Sequence, residues 1–193
     1  MAKDDFGEQF KKIVKERVDD FFKDIPRYVI EIGVWSGEEK DTRYEFEKVE
    51  NKKGELVNKA KTDKNDAGEK VKVVSGITNA EIMFIMENGS DVNNIPARPV
   101  LELTIKYAKE NLVKQAVQEG VKQYLINRKI ESFEKELAKM CVRMENYAKT
   151  GIRRNTLGLE PNSQYTINMK GSNLPLLDTG QLANSIRCKY RKL

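Results

Sequence analysis

Few side chains in this sequence could carry chemistry. There is no histidine, so a histidine base, a Ser-His-Asp relay and a His-bearing zinc site are all excluded. Two cysteines, Cys141 and Cys188, are too few for an all-thiolate zinc site or a disulfide framework, and they suit a reducing compartment. Each falls on the apolar side of its segment and is expected to be a buried structural thiol. Asp178-Thr179-Gly180 sets a carboxylate in a tight turn, but acid–base work there needs a second carboxylate sharing the proton, and the triplet occurs once. The expected role is a helix cap, with Asp178 or Thr179 offering an oxygen to the free amides of the next turn. Gly37-Glu38-Glu39 and Gly54-Glu55 lack the lysine and helix of a phosphate loop. No catalytic residue, metal site or cofactor is expected.

The cations are the remaining chemistry. The chain carries 35 Lys+Arg against 30 Asp+Glu. Residues 143–193 hold nine basic residues and three acidic ones, so the excess lies in the last quarter. Arg187, Lys189 and Arg191 alternate with Ile186, Cys188 and Tyr190, which predicts a strand with an apolar inner side and a basic outer row. With Arg153 and Arg154, that row could contact phosphates or an acidic partner. No helix-turn-helix, zinc finger or set of interleaved aromatics organises base reading, so sequence-specific recognition is not expected. A small basic nucleic-acid-associated protein using the C-terminal region is the alternative reading. Upstream, Pro96 and Pro99 hold the backbone around Arg98 extended and are expected to present that side chain on a stiff segment.

The elements that position these groups read as α+β, a single domain over 1–193. Phe6, Phe10, Ile13, Val14, Val18, Phe21, Phe22 and Ile25 form the stripe of an N-terminal amphipathic helix that Pro26 stops. Tyr28 to Trp35 is a strand, and Tyr44–Glu47 and Val71–Val74 alternate in a way that predicts pairing with it in a small antiparallel sheet. Residues 38–70 hold 19 charged residues in 33. That stretch reads as an exposed hairpin or loop inserted in the domain. Residues 79–89 form either a short helix, capped by Asn79 and closed by a left-handed Gly89, or a strand. Two long stripes follow. One runs from Leu101 to Tyr124 and the other from Ile130 to Ala148, and they predict a helical hairpin or one bent helix, with Gly151 ending the second. Tyr165–Met169 alternates as a strand. No apolar run approaches the ~20 residues of a membrane span, and Met1-Ala2-Lys3-Asp4-Asp5 does not open a leader peptide.

Two segments together resemble a known family. Asn79-Ala80-Glu81-Ile82 through Glu87-Asn88-Gly89-Ser90, followed by Ile95-Pro96-Ala97-Arg98-Pro99, resembles the "N-A … E-[aromatic]-G-T … [I/M]-P-A-R-P" segment of tailed-bacteriophage neck and tail-completion proteins. Leu174-Pro175-Leu176-Leu177-Asp178-Thr179-Gly180-Gln181-Leu182-Ala183-Asn184-Ser185-Ile186 resembles the "P-L-[I/L]-D-T-G-x-L-x-x-S-I" ending of the same proteins and of related virion morphogenesis proteins. The order of the segments and the C-terminal place of the second match as well. Asn88 stands where an aromatic is usual, Ser90 replaces Thr, and Val100 stands where Phe is common.

The resemblance implies a non-enzymatic structural protein of the virion head–tail interface, made in the host bacterial cytoplasm. It would be a neck, tail-completion or tail-terminator subunit in a homo-oligomeric ring, commonly a hexamer. Its neighbours would be a head-connector or adaptor protein and a tail-tube or tail-terminator protein, with packaged DNA in the lumen. Such a ring needs heterologous patches, for which Pro96, Arg98, Pro99, Asp178, Thr179 and Gly180 are the candidates. Arg187, Lys189 and Arg191 are the candidates for lumen DNA or an acidic partner.

Overall fold

The computed structural model describes residues 2–38 and 41–193, without the side chains of residues 2–7 and 10. Phe6 and Phe10 of the helical stripe, and Glu39 and Lys40 of the charged segment, therefore lie outside what is described. The chain is α+β, about 50% helical and 17% strand, with seven helices and two-stranded antiparallel sheets among the described residues. It divides into two compact units: Met1–Glu31 with Ile105–Met144 and Cys188–Leu193, and Ile32–Thr104 with Glu145–Arg187.

The first unit contains helix α1 (Ala2–Asp24), strand β1 (Tyr28–Gly33) to Glu31, the C-terminal part of α3 (Val100–Asn111), α4 (Val113–Asn127), α5 (Ile130–Arg154) up to Met144, and strand β6 (Arg187–Lys192) from Cys188. Its core is aromatic. Phe21 of the predicted stripe is 1% exposed. Its ring lies 5.0 Å from Tyr124 and 5.3 Å from Phe133, and Tyr28 packs between Phe133 and Tyr190. Gly120 makes this possible, because a Cβ there would sit 2.5 Å from Cδ2 of Phe133. Cys141 and Cys188 are both buried free thiols, and the Cys188 Sγ lies 3.8 Å from the Met144 Sδ.

Two expectations change in this unit. β1 pairs with β6 and not with the segments around Tyr44 and Val71. β6 offers it an apolar inner row, whereas the charged segments spend their hydrogen bonds on each other. The first long stripe is two helices, α3 and α4, meeting at Leu112, while Arg128 in the left-handed conformation stops α4 before α5 begins.

The second unit begins with two charged hairpins. Strand β2 (Phe46–Glu50) pairs with β3 (Leu56–Ala60), Phe46 opposite Ala60 and Glu50 opposite Leu56. Strand β4 (Thr62–Lys64) pairs with β5 (Lys70–Lys72), Thr62 opposite Lys72. Both turns follow Asn-x-x-Gly-Glu, Asn51 to Glu55 and Asn65 to Glu69. In each, the Asn Oδ1 accepts the Glu N–H, and the glycine adopts a positive φ that other residues resist. The hairpins share a base where Tyr44 bridges Val74.

Helix α2 (Asn79–Asn88) is capped by Thr78 and not Asn79. The sequence Thr78-x-x-Glu81 is a reciprocal capping box, which satisfies two free amides at once. Asn79 instead opens the helix buried, its Oδ1 accepting from Arg43. Gly89 closes the helix at φ 76° and ψ −177°, an extended conformation open to glycine rather than the left-handed one expected. Gly151 does not end α5, which runs to Arg154, and its missing side chain leaves room for Leu157 to fold back.

Residues 165–169 are helical, in α6 (Gln164–Lys170), and not a strand. The Ser163 hydroxyl caps that helix and left-handed Gly171 ends it, so local capping outweighs the five-residue alternation. The short α7 (Gln181–Ser185) starts from Gly180, with no side-chain cap from Asp178 or Thr179. The core gathers Met83, Val100, Ala148, Ile152, Leu159, Leu182, Ala183 and Ile186.

Candidate functional site

Inside the second unit is an open cleft of about 1010 Å³. One wall is the end of α2, the loop Ser90–Ile95 and Pro96-Ala97-Arg98; the opposite wall is residues 160–166, Lys170 and the approach to α7. Short-range chemistry builds each wall. On the first, Ser90 and Ile95 exchange both main-chain bonds, and the Arg98 N–H donates to the Met86 carbonyl at 2.6 Å, pinning the proline segment to α2. A Cβ at Gly89 would lie 2.9 Å from the Ala97 nitrogen, so this close approach requires glycine. On the second, the Asn162 amide donates to the Ser172 and Leu174 carbonyls. Lys48 of β2 donates to the Met169 and Lys170 carbonyls at the end of α6.

Arg98 does not project outward as expected. It is 7% exposed, with Nε donating to the Glu160 carbonyl at 2.8 Å and Nη2 to the Pro161 carbonyl at 3.0 Å. Its rigid fork joins the two walls, which a lysine's single point charge would not reproduce. Burial lowers its pKa, opposed by Glu160. Burial also lowers the pKa of Arg43 and of Lys170. The Asp178 carboxylate opposes both of those shifts, while Arg98 reinforces that of Lys170. Arg43 donates to the Asn79 Oδ1 and Lys170 to the Leu174 carbonyl, so the exposed Asp178 carboxylate acts on both half-buried cations through its charge and not through a direct bond.

Of the residues singled out in the sequence, Pro96, Arg98 and Asp178 come together on this cleft. Pro99 lies beyond the lining and accepts from Leu103 at the start of α3. Thr179 accepts from the Gln181 amide, and Gly180 begins α7. Arg187, Lys189 and Arg191 lie on β6 and not at the cleft. Arg187 is bonded to Glu145 at 3.2 Å and Arg191 to Glu31 at 2.9 Å, so two of that row are held against carboxylates, and Lys189 is exposed. Arg153 is hydrogen-bonded to Asn184.

Arg43, Lys170 and Tyr165 of the cleft were not singled out by the sequence. Ser163 and Gly171 mark α6 and so could have placed Tyr165 and Lys170. Arg43 has no local signal, because it arrives through a tertiary contact with Asn79. Among the described residues, no three His, Cys, Asp or Glu side chains are grouped to hold a metal ion, and no helix is long and apolar enough to cross a membrane. No protein-family model, curated protein or solved structure matches the chain.

Proposed function

We propose that this chain is a non-enzymatic structural subunit of the head–tail interface of a tailed bacteriophage, a neck, tail-completion or tail-terminator protein working in a homo-oligomeric ring. The observation that carries the reading is convergence. The two segments resembling that family, Asn79–Pro99 and Leu174–Ile186, are distant in sequence, yet α2 packs against α7 and Pro96, Arg98 and Asp178 face one cleft. A short motif that recurs by chance has no reason to meet its companion in space. The cleft is a preorganised concave surface with fixed main-chain geometry, which suits a heterologous contact with a neighbouring subunit or an adjacent ring. Head-connector and tail-tube or tail-terminator proteins are the partners this assigns, with DNA in the lumen.

The alternative, a nucleic-acid-associated protein acting through the C-terminal row, draws less support, since Arg187, Arg191 and Lys192 are each paired with a carboxylate. Purified particles decide the first reading. The chain should appear at the head–tail junction by immunogold labelling or cryo-electron microscopy, and its loss should leave filled heads without joined tails. Absence from mature particles, with tails still joined when the chain is deleted, sinks it. Duplex-DNA binding at low salt that falls on neutralising Arg187, Lys189 and Arg191 together would favour the alternative.

A further inference from the structure

We propose that the β4–β5 hairpin grips the phosphate backbone of duplex DNA, with Lys64, Lys70 and Lys72 meeting it from one face of the ribbon. The register sets that face. Thr62 stands opposite Lys72 and Lys64 opposite Lys70, while Asp63 and Val71 point the other way. The Asn65 N–H donates to the Glu69 carbonyl, so 65 and 69 are a hydrogen-bonded pair and, by alternation, 64 and 70 a non-bonded one. Side chains come closest at such pairs, so two ammonium groups stand side by side.

Like charges directly across an antiparallel pair destabilise it. Among the described residues no carboxylate is bonded to Lys64 or Lys70. The neighbouring hairpin avoids such a clash by setting Glu47 opposite Lys59, and Lys61 is paired with Glu45. Lys72 lies 5.2 Å from the centre of the Tyr44 ring, which fixes the third cation. The acidic residues of the ribbon sit elsewhere. Asp63 and Glu69 are on the opposite face, Glu69 bonded to Asn65, and Asp66 is in the turn.

Main-chain bonds, not packing, mount this ribbon. Every residue from Thr62 to Lys72 except Asn65 is exposed. At its base three peptide groups close a ring. The Glu45 N–H donates to the Val73 carbonyl at 2.9 Å, Val73 to Lys61 at 3.0 Å, and Lys61 back to Glu45 at 2.9 Å. The hairpin is thus held by its backbone with its lysine face left to solvent.

Two features select duplex DNA as the partner. The lysine face carries no apolar side chain. It therefore lacks the apolar centre of a protein interface, whereas phosphate contacts need only cations. A two-stranded ribbon also fits the B-form major groove, about 12 Å wide, but not the deep, narrow groove of an RNA duplex. Lysine contacts to phosphate carry no sequence information, so recognition is non-specific. The proposal rests on the ribbon alone and not on the virion reading.

Fluorescence anisotropy of the full chain with a short labelled DNA duplex, over rising salt, tests it. Wild-type affinity should fall linearly in log–log form. The triple variant Lys64→Gln, Lys70→Gln, Lys72→Gln should lose about 0.9 of that slope per lysine removed, with circular dichroism unchanged. Lys70→Glu should weaken binding and also slow hydrogen exchange in the ribbon, because it relieves the like-charge pair. No binding by the wild type, or an unchanged slope in the triple variant, overturns the proposal. A loss that instead follows Arg187→Gln, Lys189→Gln and Arg191→Gln would move the site to β6 and overturn it too. So would polyglutamate competing as well as unlabelled DNA, which marks a surface for acidic proteins, or an RNA duplex binding as tightly. DNA binding through the ribbon by a chain absent from virions defeats only the virion reading. A virion protein whose triple variant binds like the wild type defeats only this one.

Discussion

The side-chain amide of Gln181 pairs reciprocally with the main chain of Tyr44. Its Oε1 accepts from the Tyr44 N–H at 2.7 Å, and its Nε2 donates to the Tyr44 carbonyl at 2.9 Å. Gln181 thereby acts as a one-residue strand neighbour for the base of the hairpins, where Tyr44 also bridges Val74. It is the covalent sequel of Asp178-Thr179-Gly180, so the same turn that faces the cleft anchors the charged segment.

Replacing Gln181 with Ala removes both bonds and leaves a part-buried peptide group unpaired, at a cost of about 1–3 kcal/mol. Gln181→Glu keeps the acceptor but turns an oxygen toward the Tyr44 carbonyl, so it should not rescue. Urea denaturation reads the stability, and limited proteolysis near residues 38–75 reads the anchoring. Equal stability and equal protection in both variants would refute the role.

Gly120 separates two opposing effects. Alanine in a helix interior is favoured over glycine by about 1 kcal/mol. Overpacking against the buried Phe133 ring costs about 1–3 kcal/mol. The added Cβ would come within 2.5 Å of the ring, so the steric cost wins and Gly120→Ala lowers the melting temperature. A stabilised variant would mean that Phe133 moves freely.

Gly89→Ala carries both strain and collision. Its positive φ suits glycine, and the new Cβ would lie 2.9 Å from the main-chain nitrogen of Ala97, which cannot swing aside as a side chain could. A loss of about 2 kcal/mol or more is expected, taking about 1–3 kcal/mol for strain alone. Hydrogen exchange should show the Ser90–Ile95 loop opening first. Wild-type exchange there would contradict the account.

Arg98→Lys keeps the charge but loses the fork to Glu160 and Pro161. About 1–3 kcal/mol should be lost, with faster exchange through residues 160–166. Lysine restoring both stability and protection would show that charge alone suffices.

Glu134 gives the acid side of the stability profile. Hydrogen bonds from Lys192 and then from Tyr28 lower its pKa below the usual carboxylate value. The folded state therefore binds its proton less readily than the unfolded chain. Its contribution is present above the ordinary carboxylate pKa and is lost as pH falls through the lowered folded value. Lys192 is shifted the opposite way, raised by its bond to Glu134, so its share persists at neutral pH and fades as pH rises through the raised value. Glu134→Gln should lower the melting temperature at neutral pH, with the gap closing in strong acid. A gap independent of pH would show that packing, not charge, is responsible.

The elements whose signals are local were readable from the residues. The stripe from Ile13 to Ile25, the alternation of β1 and β6, the Asn-x-x-Gly turns and the apolar setting of both cysteines each depend on neighbours a few positions away. Where two local signals competed, period alone chose wrongly. Tyr165, Ile167 and Met169 alternate, yet Ser163 and Gly171 cap a helix around them. Asp178 and Thr179 carry capping oxygens, yet Gly180 starts α7 without either.

The sequence by itself determined the α+β class and the lack of any histidine, and it contains the two segments, Asn79–Pro99 and Leu174–Ile186, on which the proposed virion reading rests. The tertiary structure decided what those segments do together. Arg98 reaches Pro161 across 63 residues and Gln181 reaches Tyr44 across 137, and no periodicity encodes either meeting. It also decided which cations are neutralised, because a carboxylate such as Glu145 or Glu31 finds its partner only when distant strands and helices pack. Short-range hydrogen bonding and hydrophobic spacing write the elements, whereas burial and charge pairing are properties of the folded whole.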